Sequence, residues 1–492
     1  TLHIAVVMDH FGIGGTQRVV QRLIQRMPNV HWTILVEKRI DEEFEQLGNC
    51  DIVLCERKPS VEASTDNIVR CLQKIHRETP ISLFLNPMHW REAALEAMPA
   101  IKSVLQIPII YWEHNSFYFP YYIGNSNLSR VRQRTVEYAD VVVLLGEHDE
   151  ANFRSAFPTS NTKVIRNPVP IVNPVNTSPE CKENTVLVVG RFDPQKRMDR
   201  CIPIMKSFSR IHDDWKMVIA GDGYQRADVE AEIRRAGLSA KIELKGYVSD
   251  PSDLYAKSKI VAILSDFEGD PLTLMEAKAH GAPVVAFELF QNTRMRDGID
   301  GFYAPQEDTE AFVKKLSTLA ENPSLLKQMG SAARADYEDQ LSETPEDEWN
   351  NLFSELSQCG GKSLERSPAP VLAKNVATEA VHVLETLERT LRQRLTTASA
   401  TNKTSAQGTE KKGQIESSLT ELAALKSQVK RQNAHIEADG VMLRERYATI
   451  QNMSEMIKER DERISHLTSQ RLSLHAKLIS LTGSTFTVFR SK

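Results

Sequence analysis

Apolar and polar positions alternate along the first 170 residues on a length scale of five to six residues, then of ten to eighteen. Short, nearly continuous apolar runs appear at HIAVVM (3–8), WTILVE (32–37), DIVLC (51–55), ISLFL (81–85), IPIIYW (107–112), DVVVLL (140–145) and KVIRN (163–167). Between them lie amphipathic stretches, such as Thr16 to Met27, Thr65 to Glu78 and Arg91 to Leu105. Apolar runs that do not alternate predict strands buried on both faces. With helices between them they predict a parallel, doubly wound α/β sheet. The stretch from 171 to 184, with Pro174 and Pro179 and two more prolines just before it, carries no period and predicts a linker.

A second alternation follows. Its strands are TVLVVG (185–190), KMVIAG (216–221), KIELKG (241–246), IVAILS (260–265), PVVAF (283–287) and GFYAP (301–305). Helices are expected at Arg226 to Ala236, Leu272 to Gly281 and from Thr309 to Leu356. The pattern predicts two Rossmann-like domains, 1–170 and 185–358, with the carboxyl ends of both sheets at one ligand-binding cleft.

Beyond 358 the pattern changes. Residues 359–413 read as a turn-rich break, a helix and a low-complexity linker. A heptad then begins: Ile415, Leu422, Val429, Ile436, Leu443, Ile450, Ile457 and Ile464 recur every seven residues. The companion positions are mixed, apolar at Leu425 and Leu474 but polar at Asp439 and Arg446. A coiled coil over 414–482 fits, and self-association through it is expected. Deleting everything after Gly361 should therefore lower the mass in solution measured by light scattering; an unchanged mass would refute that role.

Composition narrows the class. A chain of 492 residues is too long for one core. A net charge of −4, with no basic run interleaved with aromatics, gives no reason to expect a nucleic-acid partner. The six cysteines are scattered without zinc-ligand spacing and are expected to be reduced thiols. No apolar run reaches the roughly 20 residues needed to span a bilayer. A cytoplasmic protein is expected, with peripheral contact at the inner face of the cell membrane left open.

The richest stretch for chemistry is SDFEGDPLTLMEAKAHGAPVVAF (265–287). Glu268 precedes a helix and Glu276 lies within it. Asp270 can act as N-cap and Pro271 as the first helical residue. The amides of Leu272 and Thr273 then lack partners within the helix and can receive an anion such as a phosphate. Taken alone, two glutamates at this spacing fit an ordinary amphipathic helix equally well. Gly14 and Gly15 follow the first strand, where glycines let the backbone approach a phosphate.

In combination the segments resemble the large GT4 family of retaining GT-B glycosyltransferases. The resemblance rests on the Glu-x7-Glu spacing of Glu268 and Glu276, with GGTQRVV (14–20), YWEHN (111–115) and GRFDPQKR (190–197), in the family's order. It covers about residues 1 to 340. It implies that Arg191 and Lys196 hold the diphosphate of a nucleotide-diphosphate sugar, UDP foremost, and that Glu276 holds the ribose hydroxyls. It also implies that Glu268 and His114 meet the transferred sugar, as the catalytic pair of the site. His89 competes with His114 for an acceptor-side role. Where the family often has Glu, this chain has Gln17, which receives no role. After PVVAF the chain departs from its relatives, which puts the donor's identity in doubt. No cofactor and no obligate metal are implied. The implied partners are the sugar donor and a glycan or lipid-linked glycan acceptor in bacterial-type surface polysaccharide or wall-glycan synthesis. A nucleotide-sugar epimerase of the same fold, or a coiled-coil scaffold with a degenerate transferase domain, are the rival readings.

Overall fold

The computed structural model describes residues 2–359 except 13, 39–47, 118, 123–127, 129–130, 133–134, 158–159, 173–181 and 290–293. The heptads of 414–482 lie outside the described residues. Residue contacts divide the chain into two compact units, Thr1–Phe117 with Thr135–Ala373, and Tyr118–Arg134 with Lys374–Lys492. The second contributes a short helical turn, Phe119–Tyr122. Everything below concerns the first.

The first unit holds two parallel sheets. The N-terminal lobe carries β1 (His3–Met8), β2 (His31–Val36), β3 (Cys50–Leu54), β4 (Leu83–Asn86), β5 (Ile109–Trp112), β6 (Val141–Leu144) and β7 (Thr162–Val164), in the order β3-β2-β1-β4-β5-β6-β7. The C-terminal lobe carries β8 (Glu183–Val189), β9 (Lys216–Ala220), β10 (Ile242–Gly246), β11 (Ser258–Ile263), β12 (Val284–Phe287) and β13 (Gly301–Ala304), in the order β10-β9-β8-β11-β12-β13. Each predicted run carries a strand. Every residue of β1, β4, β5, β6 and β12 is buried, because helices cover both faces. Strand order reverses between β1 and β4 and again between β8 and β11. Those switch points open a crevice at the carboxyl ends of the strands.

Elements follow the expected stretches to within about three residues, except at the start of one helix. The second helix is Val61–Glu78 and starts four residues before the expected Thr65, because Ser60 caps it by accepting from the Ala63 amide at 3.0 Å. β8 begins at Glu183, so the last two residues of the expected linker are strand. The long C-terminal helical stretch resolves into Thr309–Glu321, Pro323–Leu341 and Pro345–Cys359. The last of these returns to the N-terminal lobe. Its Trp349 ring lies 4.7 Å from Trp112 at the end of β5, and its Phe353 lies 6.0 Å from Trp32 in β2. All four rings are fully buried, so burying them contributes several kcal/mol of order to this junction. The packing also fixes the strand end from which Glu113 and His114 emerge. Cys50, Cys55, Cys71 and Cys201 are free thiols.

Candidate functional site

Most candidate residues sit at the carboxyl ends of four strands on either side of the switch points: β1, β5, β8 and β11. In the C-terminal lobe the loop after β8 brings Lys196 to Glu268, which follows β11. Lys196 Nζ lies 2.6 Å from Glu268 Oε1, and the Ser265 hydroxyl donates to the same oxygen at 2.6 Å. Glu268 is buried, 6% exposed, so its charge is held by a cation and a hydroxyl in a poorly solvated place. A small pocket beside this pair is lined by Lys196, Met198, Ser265, Glu268, Pro271 and Thr273.

The two loops are locked together by residues that sequence reasoning missed. Asp266 Oδ1 accepts from Arg197 Nη1 at 3.0 Å and from Arg200 Nη2 at 2.8 Å. Gln195 accepts from the Asp266 amide at 3.0 Å and donates through its side chain to the Phe267 carbonyl at 3.1 Å. Arg200 is buried, and its Nη1 donates to the Leu264 carbonyl at 2.6 Å. Two arginines converging on one buried carboxylate fix the distance between the Lys196 and Glu268 loops.

At the helix that follows, the expected cap is corrected. The helix is Leu272–Ala279; Pro271 occupies the N-cap position with ψ 115°, and no side chain caps it. Asp270 turns instead toward Arg294, whose Nε stands 3.4 Å from its Oδ1. Arg294 is 4% exposed, and a buried guanidinium draws a nearby carboxylate more strongly than one helix amide does. Leu272 and Thr273 therefore form the first turn, with no side-chain oxygen over their amides. Glu276 lies farther along the helix. The Tyr255 hydroxyl donates to its Oε2 at 2.9 Å, and Arg22 Nη2 of the N-terminal lobe stands 3.9 Å from its Oε1.

Arg191 is not drawn into this cluster. Its side chain is 72% exposed and pairs with Asp193 at 3.0 Å. With the guanidinium largely in solvent, such a pair is worth at most about 1 kcal/mol, which leaves Arg191 free to swing.

From the N-terminal lobe, Gly14 caps the helix Gly15–Arg26 with φ 157° and ψ 156°. A Cβ at Gly14 would lie 2.0 Å from Gln17 Oε1. That atom is the movable end of a side chain, so the positive φ more than the contact favours glycine. Gln17 itself is buried and donates to Asp9 Oδ1 at 2.9 Å, tying the loop to the end of β1. A Cβ at the exposed Gly15 would meet nothing within 4 Å, so this is where the loop leaves room for a close approach.

His114 meets the Glu268 loop directly. A Cβ on Gly269 would lie 2.3 Å from the His114 carbonyl oxygen. The two backbones are therefore packed as closely as a glycine permits, and His114 and Glu268 are brought to one place. The His114 ring centroid is 4.2 Å from that of Trp112, and among the described residues its Nε2 finds no hydrogen-bond partner. Burial pushes its pKa down to about 3, so the imidazole is neutral at physiological pH. His89 sits behind it, with ring centroids 6.3 Å apart and Nδ1 3.5 Å from Glu113 Oε1.

The His114 shift sets a pH dependence. Unfolded His114 takes up a proton as pH falls through 6.5, while the native ring resists to about 3. The unfolded state then binds more protons, so stability falls as pH drops through that window, at up to about 1.4 kcal/mol per pH unit for one group. His114→Gln is expected to flatten the fall of the melting midpoint between pH 6.5 and 4. Parallel curves for variant and wild type would contradict the buried neutral ring.

Comparison with known proteins finds likenesses in both sequence and fold. Residues 174–336 match the family model described as glycosyl transferases group 1. The chain is 30% identical over 221 residues to AmsD, an amylovoran biosynthesis glycosyltransferase of Erwinia amylovora, covering 44% of this chain and 62% of that one. It is 22% identical over 365 residues to an alpha-1,4-N-acetyl-D-galactosaminyltransferase of Campylobacter jejuni named for a PP-undecaprenol-linked substrate, covering 72% and 99%. In fold it is similar to HepE of Anabaena, solved in complex with UDP and glucose, with a TM-score of 0.61 at 17% identity over 72% of this chain and 100% of that one. Residues 174–336 are thus similar to glycosyl transferases of group 1, and the chain shares its fold of two parallel α/β sheets with HepE. Among the described residues no helix is long and apolar enough to cross a membrane.

Proposed function

We propose that the chain is a retaining glycosyltransferase of the GT4 kind. It moves a sugar from a nucleotide-diphosphate sugar, a UDP-sugar foremost, to a glycan or lipid-linked glycan acceptor in bacterial surface polysaccharide or wall-glycan synthesis. The observation that carries this is the Lys196–Glu268 contact of 2.6 Å beside the start of the Leu272–Ala279 helix, with the His114 backbone against Gly269. A cation, a carboxylate and helix amides meet within one pocket. A donor would separate the ion pair and use both halves. The diphosphate takes Lys196 and the amides of Leu272 and Thr273, and Arg191 swings in from the surface. A hydroxyl of the transferred sugar takes Glu268.

As the bond between the sugar and the diphosphate breaks, negative charge grows on the leaving phosphate, where Lys196 and the helix start stabilise it. Retention follows when the acceptor hydroxyl attacks from the leaving-group face and the departing phosphate oxygen receives its proton. Neutral His114 suits a hydrogen bond to the sugar and does not suit charge pairing. The reading assigns no resident cofactor and no metal.

The test is the melting midpoint against UDP, GDP, ADP, CDP and TDP. A ligand at 100 times its dissociation constant that binds only the folded state adds about 2.7 kcal/mol. One nucleotide is expected to raise the midpoint and so identify the donor class; no shift with any of the five would remove the reading.

A further inference from the structure

Two cysteines that sugar transfer does not use meet at the edge of the N-terminal lobe. Cys55 follows β3, the outermost strand of its sheet, and Cys71 lies on the helix Val61–Glu78. Side chains of that helix hold the end of the strand. The Asn67 side-chain amide donates to the Cys55 sulfur at 3.5 Å and to the Glu56 carbonyl at 3.0 Å. The Ser64 hydroxyl accepts from the Lys58 amide at 3.0 Å and donates to the Lys58 carbonyl at 3.1 Å. Cys71 stands one turn beyond Asn67 on the same face, so the helix that aims an amide at Cys55 brings the Cys71 thiol beside it. The Cys55 thiol donates to the Cys71 sulfur, and no disulfide joins them.

The surroundings of the two sulfurs differ. Cys55 is 2% exposed, whereas Cys71 is half-buried and partly open to solvent. The hydrogen bond from Cys55, with Arg70, Lys58 and Lys74 nearby, holds the Cys71 thiol down at about 7 against its partial burial. The same hydrogen bond and burial push Cys55 up, so it keeps its proton. Cys50, at the opposite end of β3, is pushed up to about 12 by burial. A thiolate that solvent can reach, in contact with a second thiol, has the chemistry of an attacking sulfur beside a resolving one. The hydrogen bonds from Asn67 and Ser64 mean that strand end and helix need not move for the sulfurs to meet.

We propose that Cys55 and Cys71 form a peroxide-reactive dithiol that closes to a disulfide between β3 and the helix Val61–Glu78. The Cys71 thiolate attacks one oxygen of hydrogen peroxide. An S–O bond forms as the O–O bond breaks, and the departing hydroxide takes a proton from water and solvent buffer to leave as water. The Cys55 sulfur then attacks the sulfur of the Cys71 sulfenic acid. The S–S bond forms as the S–O bond breaks, and the hydroxide leaves with the Cys55 proton as a second water. The two thiols together lose two electrons, and peroxide gains them. The product ties the strand end to the helix across the loop 56–60. It is separate from the pocket of Lys196 and Glu268, which belong to the C-terminal lobe, and β3 is separated from β1 by β2.

The experiment treats the reduced, folded full chain with hydrogen peroxide, blocks remaining thiols, and maps the peptides by mass spectrometry without reductant. The wild type is expected to yield one linked pair of peptides, joined through Cys55 and Cys71 and lighter by two hydrogens, that separates again on adding dithiothreitol. Cys71→Ser should abolish the link and leave Cys55 a thiol, since the attacking sulfur is gone. Cys55→Ala should leave Cys71 as a sulfenic acid that dimedone captures, since nothing resolves it. Cys50→Ser should leave the link unchanged. Recovery of both Cys55 and Cys71 as free thiols from treated wild type overturns the proposal. So does a Cys71 that advances to sulfinic acid while Cys55 stays reduced, or a Cys55 joined to some other cysteine. If Cys55→Ala does not fold, Cys71→Ser at the half-buried position carries the comparison, because loss of the link there separates this pair from every other pairing.

Discussion

Lys196→Ala is expected to lower kcat/KM for sugar transfer by about 10²–10³-fold while the two lobes stay folded. The loss should fall mainly on kcat, because the charge that Lys196 meets grows as the sugar leaves the diphosphate. Its ammonium lies 2.6 Å from Glu268 and is itself four-fifths buried, so little water is present to substitute for it. Stability should suffer less than activity. Glu268 keeps the Ser265 hydroxyl at 2.6 Å, and its loop is still held by the two arginines on Asp266. Water can also enter where the lysine side chain stood. Initial rates with the donor identified by the nucleotide panel, set beside circular dichroism and a melting curve, separate the two effects. Full activity in a folded variant would remove Lys196 from the chemistry, and with it the assignment.

The parts of this molecule that were legible in the sequence share one physical property: they are local. Strands such as HIAVVM and DVVVLL announce themselves because a parallel strand covered on both faces is apolar throughout. Lys196 and Glu268 stood out because the short motifs that carry them, GRFDPQKR and the Glu-x7-Glu stretch, resemble those of a known family. What stayed hidden depends on distant residues. Asp270 looked like a cap for its own helix, yet Arg294, twenty-four residues on, holds it. The arginines on Asp266 come from 66 and 69 residues away, and in the sequence they look like part of a solvated basic loop. Tyr255 and Arg22, which flank Glu276, lie in different lobes and carry no local signal at all. Gly14 was legible as a glycine in a strand-to-helix turn, while its positive φ is visible only in the backbone. Arg191 shows the opposite limit. Its motif is clear, but its side chain is largely in solvent, and sequence carries no information about the rotamer of an exposed arginine.

Gly269→Ala should reduce kcat/KM by about 100-fold or more, although it adds a single methyl group between two candidate residues. The new Cβ would lie 2.3 Å from the His114 carbonyl oxygen, 2.9 Å from its carbonyl carbon and 3.1 Å from the Asn115 Cα. All three are backbone atoms, so no side chain can rotate to make room. Gly269 is not among the glycines with positive φ, so alanine adds no backbone strain of its own and the test is steric. Relief requires the Glu268 loop and the His114 strand end to separate by the better part of an ångström. Neither can give easily. The first is tied to the β8 loop through Asp266, and the second is pinned by Trp112 against Trp349. The strain therefore falls on the junction between the lobes, while each sheet keeps its own core. Binding of a nucleoside diphosphate through Lys196 should be altered far less than turnover, because Lys196, Arg191 and the amides of Leu272 and Thr273 all belong to the C-terminal lobe. A variant that binds nucleotide within a few-fold of wild type but scarcely turns over would show that catalysis needs the His114 strand end this close to Glu268. Unchanged turnover would show instead that sugar transfer proceeds with the two backbones further apart, and His114 would lose its claim to the transferred sugar.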